Sequence, residues 1–315
     1  MWITSSLESV LKPTVIALGN FDGIHLGHRQ VIQPVLTHLA GRALSCQCER
    51  VFSTVVSFSP HPVEYFSGKP LPTLSPGAEK VLQLEQMSVE QLVLLPFNQE
   101  LAQLTPEEFV QVILVEMLQA RFISVGEDFR FGCRRSGNAQ DLQAIATKFG
   151  IEVALVALET FQGERISSTA IRNALQSGDL ATATRMLGRS YSLVGQVVAG
   201  QQLGRTIGFP TANIQVPEQK LIPAQGVYAV RVSGMAGSSV PVLGVMNIGT
   251  RPTVAGLTPT VEVHLFDWSG DLYGQTLTVE LLEFLRSEQK FPSLDALKAQ
   301  IDADCAIARA RFSKV

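Results

Sequence analysis

Several features that would direct the chain to particular partners are scarce in the sequence. The 315 residues carry 25 Lys and Arg against 28 Asp and Glu, a net charge of −3, so no broad basic face for nucleic acid is expected. No run of about 18 apolar residues occurs, which argues against a transmembrane helix. The N-terminus lacks the basic and apolar regions of a signal peptide. These absences predict a cytoplasmic globular protein without a nucleic-acid or membrane partner.

Cysteine is also scarce, with four in the whole chain. Cys46 and Cys48 are too few and too close together for a tetrahedral zinc site, which usually takes four ligands. We expect these two, together with Cys133 and Cys305, to be free thiols in a reducing compartment. The GxxxxGK[ST] loop is absent, so any nucleotide site must be built in another way.

The length and a hydrophobic content of 46% predict two globular domains. In residues 14–157 apolar runs alternate with helical patterns, which predicts a Rossmann-like α/β domain, a parallel sheet with helices on both faces and its ligand at the carboxyl ends of the strands. The predicted strands are Thr14–Leu18, Val51–Phe58, Leu92–Phe97, Phe122–Gly126 and Glu152–Ala157. The predicted helices are Leu26–Ala40, Pro76–Met87, Pro106–Gln119 and Ala139–Phe149, and Thr105 should cap the third.

After about residue 186 the period changes to short alternating runs separated by Gly, Pro and Ser, which predicts a small antiparallel β-barrel. Its predicted strands are Tyr191–Ala199, Gly226–Val232, Val240–Asn247, Thr260–Trp268 and Thr276–Phe284. A final helix capped by Ser293 should pack an apolar stripe on the barrel, formed by Leu294, Leu297, Ile301, Cys305 and Ala308. We therefore expect domains at residues 1–185 and 186–315.

The segment Gly19–His28, GNFDGIHLGH, follows the first predicted strand and leads into the first helix. Free backbone N–H groups and the positive helix end then lie at the ligand edge of the sheet, which favours a phosphate. His25 and His28 are three apart and share one face of the first turn. An HxxH pair alone is more often structural, or part of a zinc site, but the strand-turn-helix context and the flanking glycines favour phosphate chemistry.

This segment resembles the GxFDGxHxGH signature of the nucleotidyltransferase superfamily that adenylylates small phosphorylated substrates. A second element of that family matches at Arg165–Arg172, RISSTAIR, where a helix capped by Ser168 or Thr169 should begin. The resemblance implies that His25 and His28 are catalytic and contact ATP phosphates without a covalent enzyme intermediate. It implies cofactor-binding roles for Asn20, Phe21, Asp22, Gly23, Asp128, Arg165, Ser168, Thr169 and Arg172.

A second candidate site begins at Gly204–Asn213, GRTIGFPTAN, a glycine-bearing loop that enters a strand. Thr211 and Asn213 are two apart, so on an extended chain they face the same way and offer oxygens for Mg²⁺ and phosphate. In the run Thr260–Phe266 the valines share one face and Glu262 points the other way, where its carboxylate could accept a hydroxyl proton. Without context, the loop at Gly204–Asn213 is more simply an ordinary barrel turn, and Glu262 is more simply a solvent-facing glutamate.

A resemblance to a known family supplies the context for this second candidate site as well. Gly204–Asn213, with Gly226–Val230, Asn247–Val254 and Val261–Trp268, resembles the riboflavin kinase barrel, and nearly the whole chain resembles the prokaryotic bifunctional riboflavin kinase/FAD synthetase family. The resemblance implies that Glu262 is the kinase base and that Thr211 and Asn213 bind Mg²⁺ and ATP. It implies further cofactor contacts from Gly204, Arg205, Gly208, Pro210 and Arg286.

The expected function is two-step: ATP and riboflavin give FMN and ADP in the C-terminal domain, then ATP and FMN give FAD and pyrophosphate in the N-terminal domain. Two alternatives stand beside it, a riboflavin kinase with an inactive N-terminal half and a non-catalytic flavin-binding module. Retention of Glu262 beside the PTAN motif opposes the second, because binding alone needs no base. We expect riboflavin, FMN and ATP as partners and a monomer or weak homo-oligomer.

Overall fold

The chain folds into two units, Met1–Ser168 and Thr169–Val315. The computed structural model describes residues 1–43, 49–200, 204, 207–253 and 256–312. Cys46, Cys48 and Arg205, named above, lie outside the described residues. Over the described ranges, no helix is both long enough and apolar enough to cross a bilayer.

The first unit is built on a parallel sheet, as predicted. Its strands are β1 (Trp2–Thr4), β2 (Thr14–Leu18), β3 (Phe52–Ser59), β4 (Gln91–Pro96), β5 (Ala120–Gly126) and, after the short hairpin of β6 (Arg130–Phe131) and β7 (Gly137–Asn138), β8 (Glu152–Val156). The order across the sheet is β1-β4-β3-β2-β5-β8. A second hairpin, β9 (Thr160–Phe161) with β10 (Glu164–Arg165), follows. The sequence pattern gave no sign of the edge strand β1.

Helices cover the sheet on both faces. They are α1 (Leu26–Ala43), α2 (Pro62–Ser67), α3 (Gly77–Gln86), α4 (Gln99–Gln103), α5 (Pro106–Glu108) and α6 (Ala139–Thr147), with 3₁₀ turns at Leu7–Ser9 and Cys133–Arg135. Thr105 caps α5 as predicted, since its Oγ1 accepts the Glu108 N–H at 3.2 Å. Instead of continuing as an α-helix, the chain then winds as a π-helix over Phe109–Met117, where Leu118 N–H donates to the Ile113 carbonyl at 3.0 Å.

The central strand β2 is buried along its whole length. Ile16 and Leu18 pack in one apolar cluster with the π-helix and α6, whereas Val15 and Ala17 pack in another with α1 and α3. Successive side chains of a strand point to opposite faces, so β2 contributes to two core layers at once. This confirms the double-sided α/β arrangement and fixes the carboxyl end of β2 as the start of the first site.

The second unit begins in α7 (Ser168–Gln176), continues through α8 (Leu180–Leu187) and forms a closed antiparallel barrel. Its strands are β11 (Tyr191–Val198), β12 (Ala212–Gln215), β13 (Gly226–Ser233), β14 (Val242–Thr253), β15 (Gly256–Leu265) and β16 (Thr276–Ser287). The order around the barrel is β11-β12-β15-β14-β13-β16. The predicted barrel is therefore confirmed.

The last helix, α9 (Leu294–Phe312), packs on the barrel. Ser293 caps it, accepting the Ala296 N–H at 3.2 Å, and Ala308 is fully buried in a cluster with barrel side chains. The predicted stripe was wrong at Leu294, which is 65% exposed. The inward face instead carries Asp304, a polar contact that apolar periodicity cannot reveal.

Candidate active sites

The turn that follows β2 has an unusual backbone held by a buried carboxylate. Phe21, Gly23 and Ile24 have φ of 47°, 88° and 41°, and positive φ costs a non-glycine residue on the order of 1–3 kcal/mol. The Asp22 carboxylate accepts the N–H groups of Leu74 at 2.9 Å and Ser75 at 3.1 Å, which fixes the turn against a distant segment. These hydrogen bonds hold the turn in its positive-φ conformation.

Two predicted ligand contacts prove to face the interior. Phe21 is 1% exposed and its ring packs beside His28 with centroids 5.2 Å apart. Asp22 is 3% exposed, and the Gly23 N–H next to it donates to Ser75 Oγ at 2.8 Å. The side chains of Phe21 and Asp22 therefore support the turn from its buried side.

The two histidines form a stacked pair, with ring centroids 3.6 Å apart and planes at 16°. His25 Nδ1 accepts the backbone N–H of His28 at 3.2 Å, so in neutral His25 the ring proton is on Nε2. Burial lowers the pKa of His28 well below its usual range, and the positive groups of His25, Lys80 and Arg165 lower it further. His28 is consequently neutral near pH 7 and can offer an N–H dipole, not a full charge.

The RISSTAIR segment meets this turn in space. Ser168, the first residue of α7, donates its hydroxyl to the Asp22 carbonyl at 2.8 Å. Arg165 on β10 forms an ion pair with Asp128, and both side chains are partly exposed. The structure therefore brings the start of α7 to the histidine turn and pairs two of the predicted binding residues. Thr169 and Arg172 follow within the first turn and a half of α7.

Two features of this edge were missed by the sequence reasoning. Lys80 on α3 donates from Nζ to the Asn20 carbonyl, which also accepts the Ser57 hydroxyl at 2.8 Å. Separately, aromatic rings gather where β3 and β4 end, with centroids 5.2–5.8 Å apart, and Phe66 among them is 71% exposed. The set is Phe58, Tyr65, Phe66 and Phe97. The Ser-Pro-His-Pro and Pro-Phe-Asn motifs around them were the available signal.

In the barrel, strand pairing places three polar residues in one row. Asn213 on β12 lies opposite Glu262 on β15, and Glu262 lies opposite Asn247 on β14. The neighbouring Val261 and Val263 are 3% and 1% exposed, so they face the barrel core and Glu262 faces outward, as predicted. Asn247 was not singled out from the sequence because only the register of β14 brings it beside Glu262.

The loop before β12 is folded tightly beside this row. Phe209 N–H donates to the Gly204 carbonyl at 2.8 Å, and a Cβ on Gly204 would collide with the Phe209 carbonyl oxygen. Gly208 has φ of 93°, which favours glycine. His264 Nδ1 lies 2.9 Å from the Pro210 carbonyl, which ties the Pro-Thr-Ala-Asn segment to β15. Thr211 and Asn213 are partly buried beside it.

The side chain of Arg286, a predicted cofactor contact, forms an ion pair with Asp304 in the structure. Its Nε and Nη2 donate to the Asp304 carboxylate at 3.0 and 2.8 Å, and Gln300 donates to the same carboxylate at 2.9 Å. The guanidinium therefore fastens α9 to β16.

Comparison with known proteins assigns each unit. A family model described as FAD synthetase matches residues 7–170, and one described as riboflavin kinase matches residues 187–312. A bifunctional riboflavin kinase/FMN adenylyltransferase of Haemophilus influenzae is 42% identical, covering 96% of both chains. The chain belongs to the bifunctional riboflavin kinase/FMN adenylyltransferase family. Both enzyme domains are present and the relatives are described as bifunctional, so the alternative of a riboflavin kinase with an inactive N-terminal half is not favoured.

Other relatives support the same family. The Escherichia coli K12 protein of the same description is 42% identical, covering 95% of this chain and 92% of its own. A crystal structure from Streptococcus pneumoniae, titled as a macrolide-efflux protein, has a TM-score of 0.85 and 30% identity over 98% of both chains. The similarity of that protein to this chain extends along nearly the full length and indicates a shared fold.

Proposed function

We propose that the chain converts riboflavin to FMN with Glu262 as base, and FMN to FAD with His25 and His28 at the reacting phosphate. The observation that carries the proposal is that each family domain contains its own polar constellation: the row through Glu262 in the barrel and the stacked histidines at the sheet edge. We place the domain boundary at 185/186, in the last turn of α8 and just before the matched riboflavin kinase region.

In the kinase step, the Glu262 carboxylate accepts the proton of the ribityl 5′-hydroxyl as its oxygen attacks the γ-phosphorus of ATP, and the bond to ADP breaks. Outward orientation and partial exposure of Glu262 support this role. The cross-strand neighbours Asn213 and Asn247 offer amides beside it to orient substrate.

The residues beside Glu262 also fit a divalent cation. Thr211 and Asn213 supply hydroxyl and amide oxygens, the hard donors that Mg²⁺ takes together with nucleotide phosphates. The Asn213 side chain lies directly over Gly200, where a Cβ would collide with it, so its carboxamide is confined. Mg²⁺ bound there would neutralise charge on the ATP phosphates. The loop containing Gly204, Gly208 and Pro210 would border the same phosphates.

In the adenylyl step, a phosphate oxygen of FMN attacks the α-phosphorus of ATP and pyrophosphate leaves, with no covalent enzyme intermediate. The imidazole N–H groups of His25 and His28 and the N-terminus of α7 would stabilise the charge that develops. Arg165 and Arg172 would add guanidinium donors for the phosphates. Asn20 and Gly23 would contribute through the backbone of the turn, whose shape Asp22 maintains.

The flavin ring of FMN needs a flat apolar surface at the same edge. The aromatic cluster of Phe58, Tyr65, Phe66 and Phe97 offers one, because rings favour edge-to-face and offset-stacked contacts with other rings. Its exposure, greatest at Phe66, supports binding of a planar ligand there.

The test uses both activities of one protein. We expect wild type with riboflavin, ATP and Mg²⁺ to yield FMN and FAD, resolved by chromatography. Glu262→Ala should lose FMN formation by about 10²–10⁴-fold and still make FAD from supplied FMN, whereas His28→Ala should do the reverse. Glu280→Ala, which removes a partly exposed barrel carboxylate paired with Arg231, is the matched control. If wild type forms no FAD from FMN, the bifunctional proposal is wrong.

A further inference from the structure

Lys80 occupies an unusual position for a lysine. It lies on α3, where its side chain is partly buried and Nζ donates to the Asn20 carbonyl at 3.4 Å. Over the described residues, Lys80 forms no ion pair, and the acidic group that acts on its charge is the buried Asp22. A weak contact to one carbonyl compensates little of the hydration that an ammonium loses on burial.

The charges around Lys80 are otherwise accounted for. His28 is held neutral, and Arg165 is paired with Asp128. Burial lowers the pKa of Lys80, while the Asp22 carboxylate acts in the opposite direction. Lys80 is therefore the cation at the histidine turn whose charge is least balanced by protein groups, and an anion entering beside the turn would relieve its desolvation.

We propose that Lys80 is a phosphate-binding residue of the adenylyl site that stabilises the negative charge passing to pyrophosphate as it leaves. The inference rests on the proposed adenylyl transfer and adds a residue to it. Lys80 approaches the turn at Asn20, immediately after β2, and its charge acts on the His28 ring, so its ammonium borders the turn that carries the histidines and that Ser168 contacts. Charge that appears only during the reaction is where a fixed cation lowers the barrier.

Two variants of the full chain separate charge from hydrogen bonding. Lys80→Gln keeps an N–H donor for the Asn20 carbonyl and loses the charge, whereas Lys80→Arg keeps both. We expect Lys80→Gln to lower kcat for FAD formation from FMN by about 10²–10³-fold, with a much smaller change in the KM for ATP. Lys80→Arg should recover most of the rate. Lys148→Gln, an exposed lysine at the end of α6, is the matched control.

Formation of FMN from riboflavin by the same preparations reports the barrel alone and should stay at the wild-type rate in every variant. Folding of the first unit is followed by the fluorescence of Trp2 in a Trp268→Phe background, since these are the two tryptophans of the chain. The inference is overturned if Lys80→Gln keeps the wild-type kcat, or if Lys80→Gln and Lys80→Arg lose activity equally. It is also overturned if the loss of activity coincides with unfolding of the first unit. Absence of FAD formation by wild type itself would overturn the proposed function as well.

Discussion

Removal of one partner of the ion pair between Arg286 on β16 and Asp304 on α9 should strongly destabilise the barrel unit. The two side chains are 16% and 4% exposed, and Arg286 donates to both carboxylate oxygens. Gln300 donates to one of them as well. A buried, multiply hydrogen-bonded pair of this kind is costly to break from one side, because the remaining charge loses its partner without regaining water.

The magnitude follows from that burial. Removing one partner of a buried pair costs about 3–5 kcal/mol, and the partial exposure of Arg286 favours the lower end, about 3 kcal/mol, for Asp304→Ala. For a unit of this size each kcal/mol shifts the unfolding midpoint by about 2–4 °C, so Tm should fall by about 6–12 °C. Asp304→Asn, which keeps an acceptor oxygen but not the charge, should fall between wild type and Asp304→Ala.

The assay needs a signal from the barrel unit alone. Trp268 lies in that unit and Trp2 in the other, so thermal unfolding followed by fluorescence in a Trp2→Phe background reports the barrel. The matched control is Asp267→Ala, because Asp267 also receives two hydrogen bonds from an α9 arginine, Arg309, but at the surface. Exposed pairs contribute little, so its Tm should stay within the scatter of repeated melts.

One result would refute this reasoning. If Asp304→Ala and Asp267→Ala change the barrel midpoint equally, burial does not decide the strength of these pairs and α9 is held by its apolar contacts alone. FAD formation from FMN should be unchanged in both variants, because neither residue belongs to the first unit. A parallel loss of that activity would show that the substitution acts beyond the barrel.

Two further predictions concern the sites. Because the folded pKa of His28 lies below the unfolded value of about 6.5, the unfolded chain binds more protons between the two values. Stability of the first unit should therefore be lost as pH falls below about 6.5, and His28→Gln should weaken this dependence in urea titrations at several pH values; an unaltered slope would contradict it. Gly204→Ala should reduce FMN formation through collision with Phe209, with FAD formation from FMN unchanged, whereas Gly41→Ala, whose Cβ meets only open space, should affect neither.

The sequence predicted long, strongly patterned elements well. Thr14–Leu18 was predicted with its observed bounds because Pro13 and Gly19 limit an apolar run that is buried on both faces. Short elements failed for the opposite reason: Trp2–Thr4 and Pro62–Ser67 contain too few residues to show a period. The π-helix also escaped, since Phe109–Met117 is apolar around most of its surface and a slip of one hydrogen-bond step leaves such a pattern unchanged.

Site residues that belong to local motifs could be predicted from the sequence, whereas those placed by tertiary packing could not. The histidine pair and the start of α7 could be predicted because local motifs carry their geometry. Lys80 could not, because a lysine in a short surface helix looks like any solvated residue until residues 74–75 bind Asp22 and bring α3 to the turn. The position of Asn247 beside Glu262 depends on the strand register, and the ion pair of Arg286 with Asp304 depends on the packing of α9, so neither could be predicted from local sequence.

Asp22 explains why two motifs about 140 residues apart along the sequence form one site. Its carboxylate binds the backbone of Leu74 and Ser75, and its carbonyl accepts the hydroxyl of Ser168. One buried residue thereby joins the segment before α3, which carries Lys80, to Ser168 at the end of the first unit. The carboxylate of Asp22 is therefore engaged in joining segments of the first unit, since both of its oxygens accept backbone N–H groups of residues 74–75. Its charge also favours the protonated form of Lys80, so the anion that organises the site helps to keep a cation in it.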